Sequence, residues 1–396
     1  MKVLLIHDFG ALAGGAERIA IDLRDGLRER GHTTRLFATR ALTPPLANEA
    51  DDLCFGHTQW PRLLLQVANP WAVSALRKVL TAFQPDIIHV RMFLSQLSPA
   101  ILPLLGHVPS LLHIGNHQTI CPINSRVLPD QSRCAVPAGL ACYRNGCVSA
   151  LGLARTLLQL GAWRKHRKVF RLIVANSAAL AKTLRENEVD VQAVVPNGTR
   201  IAPARGALSD PPTIAFAGRL VKQKGVDVLL RAMATIVQQR PDARLLIAGE
   251  GEERRRLETQ IEALSLGAQV HLLGHLARPE MDRALASTWV QAVPSSYPEP
   301  CANVIPEAMM RGSAIVGTDC GGTPEAIDHG VTGFLVPPFN PDELATRLLQ
   351  ILNDRTLAER MGSAARSKAL SELTTARMLD RFESLYAKLL HQGDAR

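Results

Sequence analysis

Residues 213–225 read Thr-Ile-Ala-Phe-Ala-Gly-Arg-Leu-Val-Lys-Gln-Lys-Gly. The run Thr213–Ala217 is short and almost wholly apolar, as a strand buried on both faces must be. Gly218 closes that strand, and a helix is expected after Gly225. Arg219 and Lys224 therefore fall on a strand-to-helix loop, where two cations and the helix-start amides can converge on one diphosphate. The competing reading of such a loop is a solvated basic turn.

The same unit repeats in both directions from there. Downstream, strands are expected at Arg244–Ala248, Gln269–Leu273, Val290–Val293 and Ala314–Gly317, with helices after Gly225 and Glu252. Three helical stretches follow Pro341, the last over about residues 374–390 with Met378, Phe382, Leu385 and Leu389 on it. Upstream, Ala202 to Pro212 is a linker rich in proline and glycine. Before it, Lys2–Ile6, Thr33–Phe37, Asp86–Val90, Ser110–Ile114 and Arg171–Ala175 read as strands. A helix runs from Gly14–Gly15 to about Arg30, with Ile19, Leu23 and Leu27 on one face, and Gly31 stops it. Strands alternating with helices predict an α/β chain of two doubly wound parallel sheets, which bind ligands beyond the carboxyl ends of their strands.

A length of 396 residues suits two domains, and 46% hydrophobic with 20% charged residues is the balance of an ordinary globular chain, so a disordered or fibrous protein is excluded. No 20–50-residue period recurs, which excludes solenoids. Met1–Lys2 is followed by only four apolar residues, too few for a secretory signal, and the uncharged stretch Met92–Ser125 is broken by four prolines. A cytoplasmic protein is expected. The net charge of +9 lies wholly in the first half. Between Leu53 and Arg185, 15 basic residues face only Asp86 and Asp130, and the densest group is Arg164, Lys165, Arg167, Lys168 and Arg171. That asymmetry points to an anionic membrane surface or acceptor. Nucleic acid is disfavoured as a partner, because aromatic residues make up only 4% and no stacking motif appears.

Three further loops carry candidate chemistry. Ser295 to Glu307 places two carboxylates, Glu299 and Glu307, eight positions apart, one on a loop and one inside a helix beginning near Ala302. Glu299 could accept hydrogen bonds from sugar hydroxyls and Glu307 could hold a ribose diol, with the amides near Asn303 and Val304 facing phosphate. Alone, each glutamate reads more simply as a surface charge. Asp319 to Glu325 is a tight Gly-Gly turn into a helix with Pro324 in its first turn. Phe9 to Gly15 is a glycine loop after the first strand, but it lacks the G-x-G-x-x-G spacing of a dinucleotide site.

Taken together, the Gly14–Gly15–Ala16–Glu17 loop, Gly218–Arg219 with Lys224, the paired glutamates and Gly321–Gly322–Thr323–Pro324–Glu325 resemble, in order and spacing, the retaining glycosyltransferases of family four. The resemblance covers nearly the whole chain. It implies the GT-B fold, with two Rossmann-like domains facing a cleft: residues 1–200 for the acceptor, residues 201–372 for the nucleotide sugar, and a C-terminal helix within 373–396 crossing back to the first domain. Arg219 and Lys224 would clamp the donor diphosphate, Glu299 would position the donor sugar, Glu307 would bind the ribose, and Gly14 and Gly15 would admit phosphates and acceptor. No cofactor or divalent metal would be required beyond the nucleotide-sugar donor. The acceptor would be a glycan, glycolipid or lipid-linked sugar, and the protein would sit peripherally on the inner face of the membrane. The pattern departs at Cys301 and Ala302, where the family often carries Phe-Gly.

The segment from Leu112 to Pro122 is similar to a family loop, His-Asp-x-x-x-x-Cys-Pro, that brings a histidine to the reacting sugar. Aligned on Cys121, that histidine falls at Gly115, so His117 is favoured in the role, with His113 the alternative. Cys121, Cys134, Cys142 and Cys147 lie within 27 residues at spacings unlike familiar zinc sites, which leaves either a structural metal or ordinary thiols. Other readings of the whole chain are a nucleotide-sugar epimerase of the same fold, a non-catalytic nucleotide-sugar binder, and a nicotinamide dehydrogenase. The missing dinucleotide fingerprint opposes the last, and the joint presence of Arg219, Lys224, Glu299 and Glu307 opposes the binder.

Overall fold

The computed structural model describes residues 1–12, 14–41, 48–58 and 62–391. Ala13 of the first glycine loop and the end of the chain from residue 392 lie outside the described residues. The chain divides into two compact units, residues 1–198 with 375–396, and residues 199–374.

The first unit is built on seven parallel strands: β1 (Lys2–Phe9), β2 (Thr33–Thr39), β3 (Asp52–Cys54), β4 (Ile87–Val90), β5 (Ser110–Ile114), β6 (Leu172–Ala175) and β7 (Ala193–Val194). Their order is β3-β2-β1-β4-β5-β6-β7. The second has six, β8 (Thr213–Ala217), β9 (Arg244–Ala248), β10 (Val270–Gly274), β11 (Val290–Val293), β12 (Ala314–Thr318) and β13 (Gly333–Val336), ordered β10-β9-β8-β11-β12-β13. Every pairing is parallel, and in each sheet the order reverses beside the first strand. That reversal is the topological switch point at which open α/β sheets bind ligands. The strands β3 and β13 are not among those expected from the sequence.

The period of two sorts each strand between two buried faces. In the first unit Leu4, Ile6, Ile88, Val90, Leu112 and Ile114 pack into one core, which Leu160 and Trp163 of the helix Ala150–His166 complete. Val3, Leu5, Ile87 and Leu111 face the other way, onto Ile19, Leu23 and Leu27 of the helix Gly15–Glu29. The chain's last helix, Thr375–His391, lays Met378, Phe382, Tyr386 and Leu389 into that second core. Its Glu383 is clamped by Arg30 and by His32 Nε2 at 2.8 Å. His89 and His113 share this face. The Phe382 ring centroid lies 4.7 Å from that of His89 and 4.8 Å from that of His113, and Tyr386 Oη sits 2.6 Å from His89 Nδ1.

Phe382 is fully buried at the centre of this contact. Phe382→Ala is expected to destabilise the first unit by about 3–5 kcal/mol, the range for removing a large buried ring. Urea unfolding of the intact chain measures it.

Candidate active site

In the second unit, glycines let the strand-end loops touch backbone to backbone. Beyond β8, Gly218 adopts φ +152, and beyond β9, Gly249 adopts φ +145. A Cβ on Gly249 would lie 1.9 Å from the Gly218 carbonyl oxygen, and one on Gly251 would lie 2.2 Å from that of Leu220. The Leu220 amide donates to the Glu250 carbonyl at 2.8 Å, which laces the loops together. The Gly249-Glu250-Gly251 loop was not singled out in the sequence, although a Gly-x-Gly directly after a strand was the available signal. Lys222–Lys224 then forms a single 3-10 turn, and Gly225 (φ +67) opens the helix Val226–Gln239. A Cβ on Gly225 would fall 2.0 Å from the Pro294 carbonyl oxygen. The β11 loop thus seats against this turn, and the Ser296 amide donates to the Gln223 carbonyl at 2.9 Å.

This seating brings Lys224 and Glu299 together. The Lys224 ammonium forms an ion pair with Glu299 Oε1, and Ser295 Oγ donates to Glu299 Oε2 at 2.8 Å. Lys224 Nζ also lies 5.8 Å from the ring centroid of Tyr297. Burial pushes the Tyr297 phenol above its ordinary range, and the Glu299 charge adds to that rise. The backbone of Glu299 is fixed from the other side, because its carbonyl accepts from the Gly322 amide at 2.7 Å. Gly321 (φ +62) makes room, since a Cβ there would be 2.3 Å from the same carbonyl oxygen. Arg219 is exposed and forms no ion pair among the described residues. The site therefore holds one paired cation and one cation open to a ligand.

Glu307 lies in the first turn of the helix Val304–Arg311, whose N-cap is Asn303. Its Oε1 accepts from Arg278 Nη1 at 2.6 Å. Arg278 Nε donates to Asp282 Oδ2 at 3.2 Å, and Asp282 Oδ1 accepts from Arg311 Nη1 at 3.1 Å. Burial raises the Glu307 carboxyl above its usual range, although Arg278 and Arg311 both pull it down. This network joins residues about thirty positions apart, beyond what local spacing reveals. It makes Glu307 a half-buried, positioned carboxylate and not the free surface charge of the simpler reading.

In the first unit, Gly14 is the extended N-cap of the helix Gly15–Glu29, and a Cβ there would lie 3.3 Å from Glu17 Oε2. Glu17 in turn meets His7 Nε2 at 3.4 Å. Burial raises the Glu17 carboxyl, and the hydrogen bond and charge of His7 more than offset it, so the net shift is downward. Asp8 accepts from the amides of Ser95, Gln96 and Leu97 at 2.7, 2.8 and 2.9 Å, which ties β1 to the segment after β4. Its burial outweighs those bonds and raises its carboxyl.

His113 is inside β5, fully buried, with Nδ1 3.1 Å from Arg91 Nη1. His117 lies on the following turn, is 2% exposed, and its amide donates to Asn124 Oδ1 at 2.7 Å. Cys121, Cys134 and Cys142 are buried and Cys147 half-buried, all as free thiols. Burial and the three neighbouring thiols push Cys147 up. No group of three or more histidine, cysteine or acidic side chains among the described residues is arranged to hold a metal ion.

Two doubly wound parallel units with a Lys-Glu pair and an open arginine on strand-end loops define a GT-B glycosyltransferase architecture. The family model for glycosyl transferases group 1 matches residues 199–368, and that for glycosyltransferase family 4 matches residues 13–202. The chain belongs to glycosyltransferase family 4. It is similar to a GDP-mannose-dependent monoacylated alpha-(1-6)-phosphatidylinositol monomannoside mannosyltransferase of Corynebacterium glutamicum, at 31% identity over 46% of this chain and 48% of that one. The match spans about half the length of such curated relatives. Sucrose-phosphate synthase from Thermosynechococcus elongatus shares the fold over 99% of both chains, with a TM-score of 0.75 at 22% identity. HepE of Anabaena, crystallised with UDP and glucose, shares it over 98% of this chain and 100% of that one, with a TM-score of 0.69 at 21% identity.

Two expectations follow. Gly225→Ala must place a side chain at positive φ and against a carbonyl. It should cost more than about 2 kcal/mol and melt the second unit earlier in a thermal scan. His89 and His113 have pKa values held well below normal, by burial first and then by Arg91. Both stay neutral in the folded chain, while the unfolded chain binds their protons below about pH 6.5. Their neutral burial is thus fully compatible with folding above that pH and opposes folding as pH falls. Stability of the first unit should drop by up to about 1.4 kcal/mol per pH unit per histidine between pH 6.5 and 5. Urea midpoints across that range, compared with His113→Gln, should show a shallower fall in the variant.

Proposed function

We propose that the chain is a retaining glycosyltransferase that moves a sugar from a nucleotide-diphosphate-sugar to a lipid-linked, glycolipid or polysaccharide acceptor at an anionic membrane surface. The observation that carries this reading is the Lys224–Glu299 ion pair beside Arg219, which forms no ion pair among the described residues, on a loop whose glycines bring three strand ends together. As the nucleoside diphosphate departs, negative charge accumulates on its outer phosphate. Lys224 and Arg219 are placed to meet that charge, and fixed cations aimed at developing charge are a large source of rate enhancement. Glu299 keeps the ammonium in position and offers its carboxylate to hydroxyls of the donor sugar. Glu307, oriented by Arg278, takes the ribose, with the amides of Asn303 and Val304 toward phosphate.

Retention is assigned to attack by the acceptor hydroxyl on the face the phosphate leaves, its proton passing to the departing phosphate oxygen. In the first unit, Gly14, Gly15 and His117 lie at the carboxyl ends of parallel strands, the ligand side of such sheets. We assign the acceptor to this unit, with His117 on the sugar side. The basic first half suits an acceptor on an anionic membrane. The mannosyltransferase relative acts, by its name, on a phosphatidylinositol mannoside, and a chain of the same fold binds UDP and glucose. No helix among the described residues is long and apolar enough to cross a membrane, so membrane contact in this reading is peripheral.

A thermal-shift panel of nucleoside diphosphates and nucleotide sugars tests the donor site. One nucleotide should raise the melting temperature, because it binds only the folded state, and Lys224→Ala should abolish the shift. With the donor so identified, Lys224→Ala should reduce transfer by about 10²–10³-fold, the usual loss for one charge-stabilising donor. Transfer should persist in EDTA. A folded protein that shifts with no nucleotide, or unchanged transfer in the variant, rules the diphosphate clamp out. Glu307→Ala should raise KM for the donor with kcat changed much less, as loss of uniform ribose binding requires.

A further inference from the structure

The helix Ala150–His166 buries a mixed face and exposes an apolar one. Its buried residues are Thr156, Gln159, Leu160 and Trp163, and two of these four are polar. Gln159 Nε2 donates to the carbonyl oxygens of Gln66, at 2.9 Å, and Leu94, while Arg155 Nη1 donates to Gln66 Oε1 at 2.8 Å. These bonds, beside the buried Leu160 and Trp163, hold the helix against the short helix Arg62–Val67. The exposed face is residues 150, 151, 154, 157, 158, 161, 164 and 165, which is the i, i+3, i+4 stripe of a single helix side. Six of those eight are Ala, Leu or Gly. Leu151, Leu157 and Leu158 are 65%, 53% and 60% exposed, and Leu64 on the neighbouring helix is 64% exposed. The stripe then ends in Arg164 and Lys165, and the helix itself carries no acidic residue, although Glu186 and Glu188 line a cavity with Arg164.

A soluble surface helix shows water the opposite pattern. An apolar stripe with a basic end, on a helix that carries no acidic side chain, is the chemistry of a helix lying in the interface of an anionic bilayer, apolar face down. We propose that the helix Ala150–His166 is the membrane-inserting element of this protein, with Leu151, Leu157 and Leu158 entering the acyl boundary and Arg164 and Lys165 meeting lipid phosphates. This rests on the peripheral membrane reading above and adds to it an insertion that charge alone does not supply. Electrostatic adsorption is screened by salt, whereas burial of leucine in lipid is not.

Flotation of the full chain with phosphatidylcholine vesicles containing phosphatidylglycerol separates the two. Wild type should bind and keep part of its binding in high salt. Leu157→Gln/Leu158→Gln should lose at least about tenfold of its partitioning, since two leucines no longer leave water. Arg164→Gln/Lys165→Gln should lose binding chiefly at low salt. Both variants should retain the melting temperature and the nucleotide response of wild type, as changes on an exposed face. Hydroxyl-radical footprinting of unmodified protein gives an independent reading, and Leu151, Leu157 and Leu158 should become less reactive on vesicles. If the leucine variant binds as wild type while the basic variant does not, insertion is wrong and the charged membrane reading stands. If wild type does not float, both fall. A wild-type dimer that the leucine substitutions split, without change in flotation, would assign the stripe to a second copy of the chain and overturn the proposal.

Discussion

The ion pair between Lys224 and Glu299 joins loops 75 residues apart, and most of the second unit's construction serves to hold its two ends in reach. A half-buried lysine and a buried glutamate cost solvation unless each finds the other and the remaining lone pairs are used. Ser295 takes one carboxylate oxygen, and the Glu299 carbonyl is claimed by the Gly322 amide. The glycines at 225, 249, 251 and 321 then follow as a steric necessity. Each stands where a Cβ would collide with a backbone carbonyl, and without them the loops could not close on one pair of charges.

The first unit obeys a different constraint. Its sheet carries histidines into a fully buried face, and the chain's final helix returns across nearly the whole sequence to cover them. Phe382 and Tyr386 supply the ring faces and a hydroxyl within hydrogen-bond distance of His89. The clamp of Arg30 and His32 on Glu383 sets the position of that helix against the first one. The two ends of the chain thus stabilise the same unit, while the second unit folds as one continuous segment.

The helix Ala150–His166 connects that architecture to the charge of the molecule. It adds Thr156 and Gln159 to the core contacts of Leu160 and Trp163, and it shows leucine where a surface helix normally shows charge. A basic first half could adsorb to an anionic surface in any orientation. In the proposed membrane contact, a leucine stripe on one side of one helix would select a single orientation of the first unit.

Much of this was legible in the sequence because parallel strands and amphipathic helices are local patterns. Short apolar runs, the 3.6-residue period of Ile19, Leu23 and Leu27, and glycines directly after strands mark the two sheets and the loops at Arg219, Lys224 and Glu299. β3 and β7, with three and two residues, hold no period, whereas Gly333–Val336 of β13 is as apolar as the four-residue strands that are read. What only tertiary structure decided are the partners. Nothing near Glu307 in sequence announces Arg278, nothing near Glu299 announces Lys224, and the loop at Gly249 gains its meaning only from Gly218. The helix Ala150–His166 shows the limit most plainly: its apolar and polar residues are visible, but which side faces water is set by the core contacts of Leu160 and Trp163 and by hydrogen bonds to Gln66 and Leu94. Local spacing determines which elements form, and long-range packing determines which of their side chains meet.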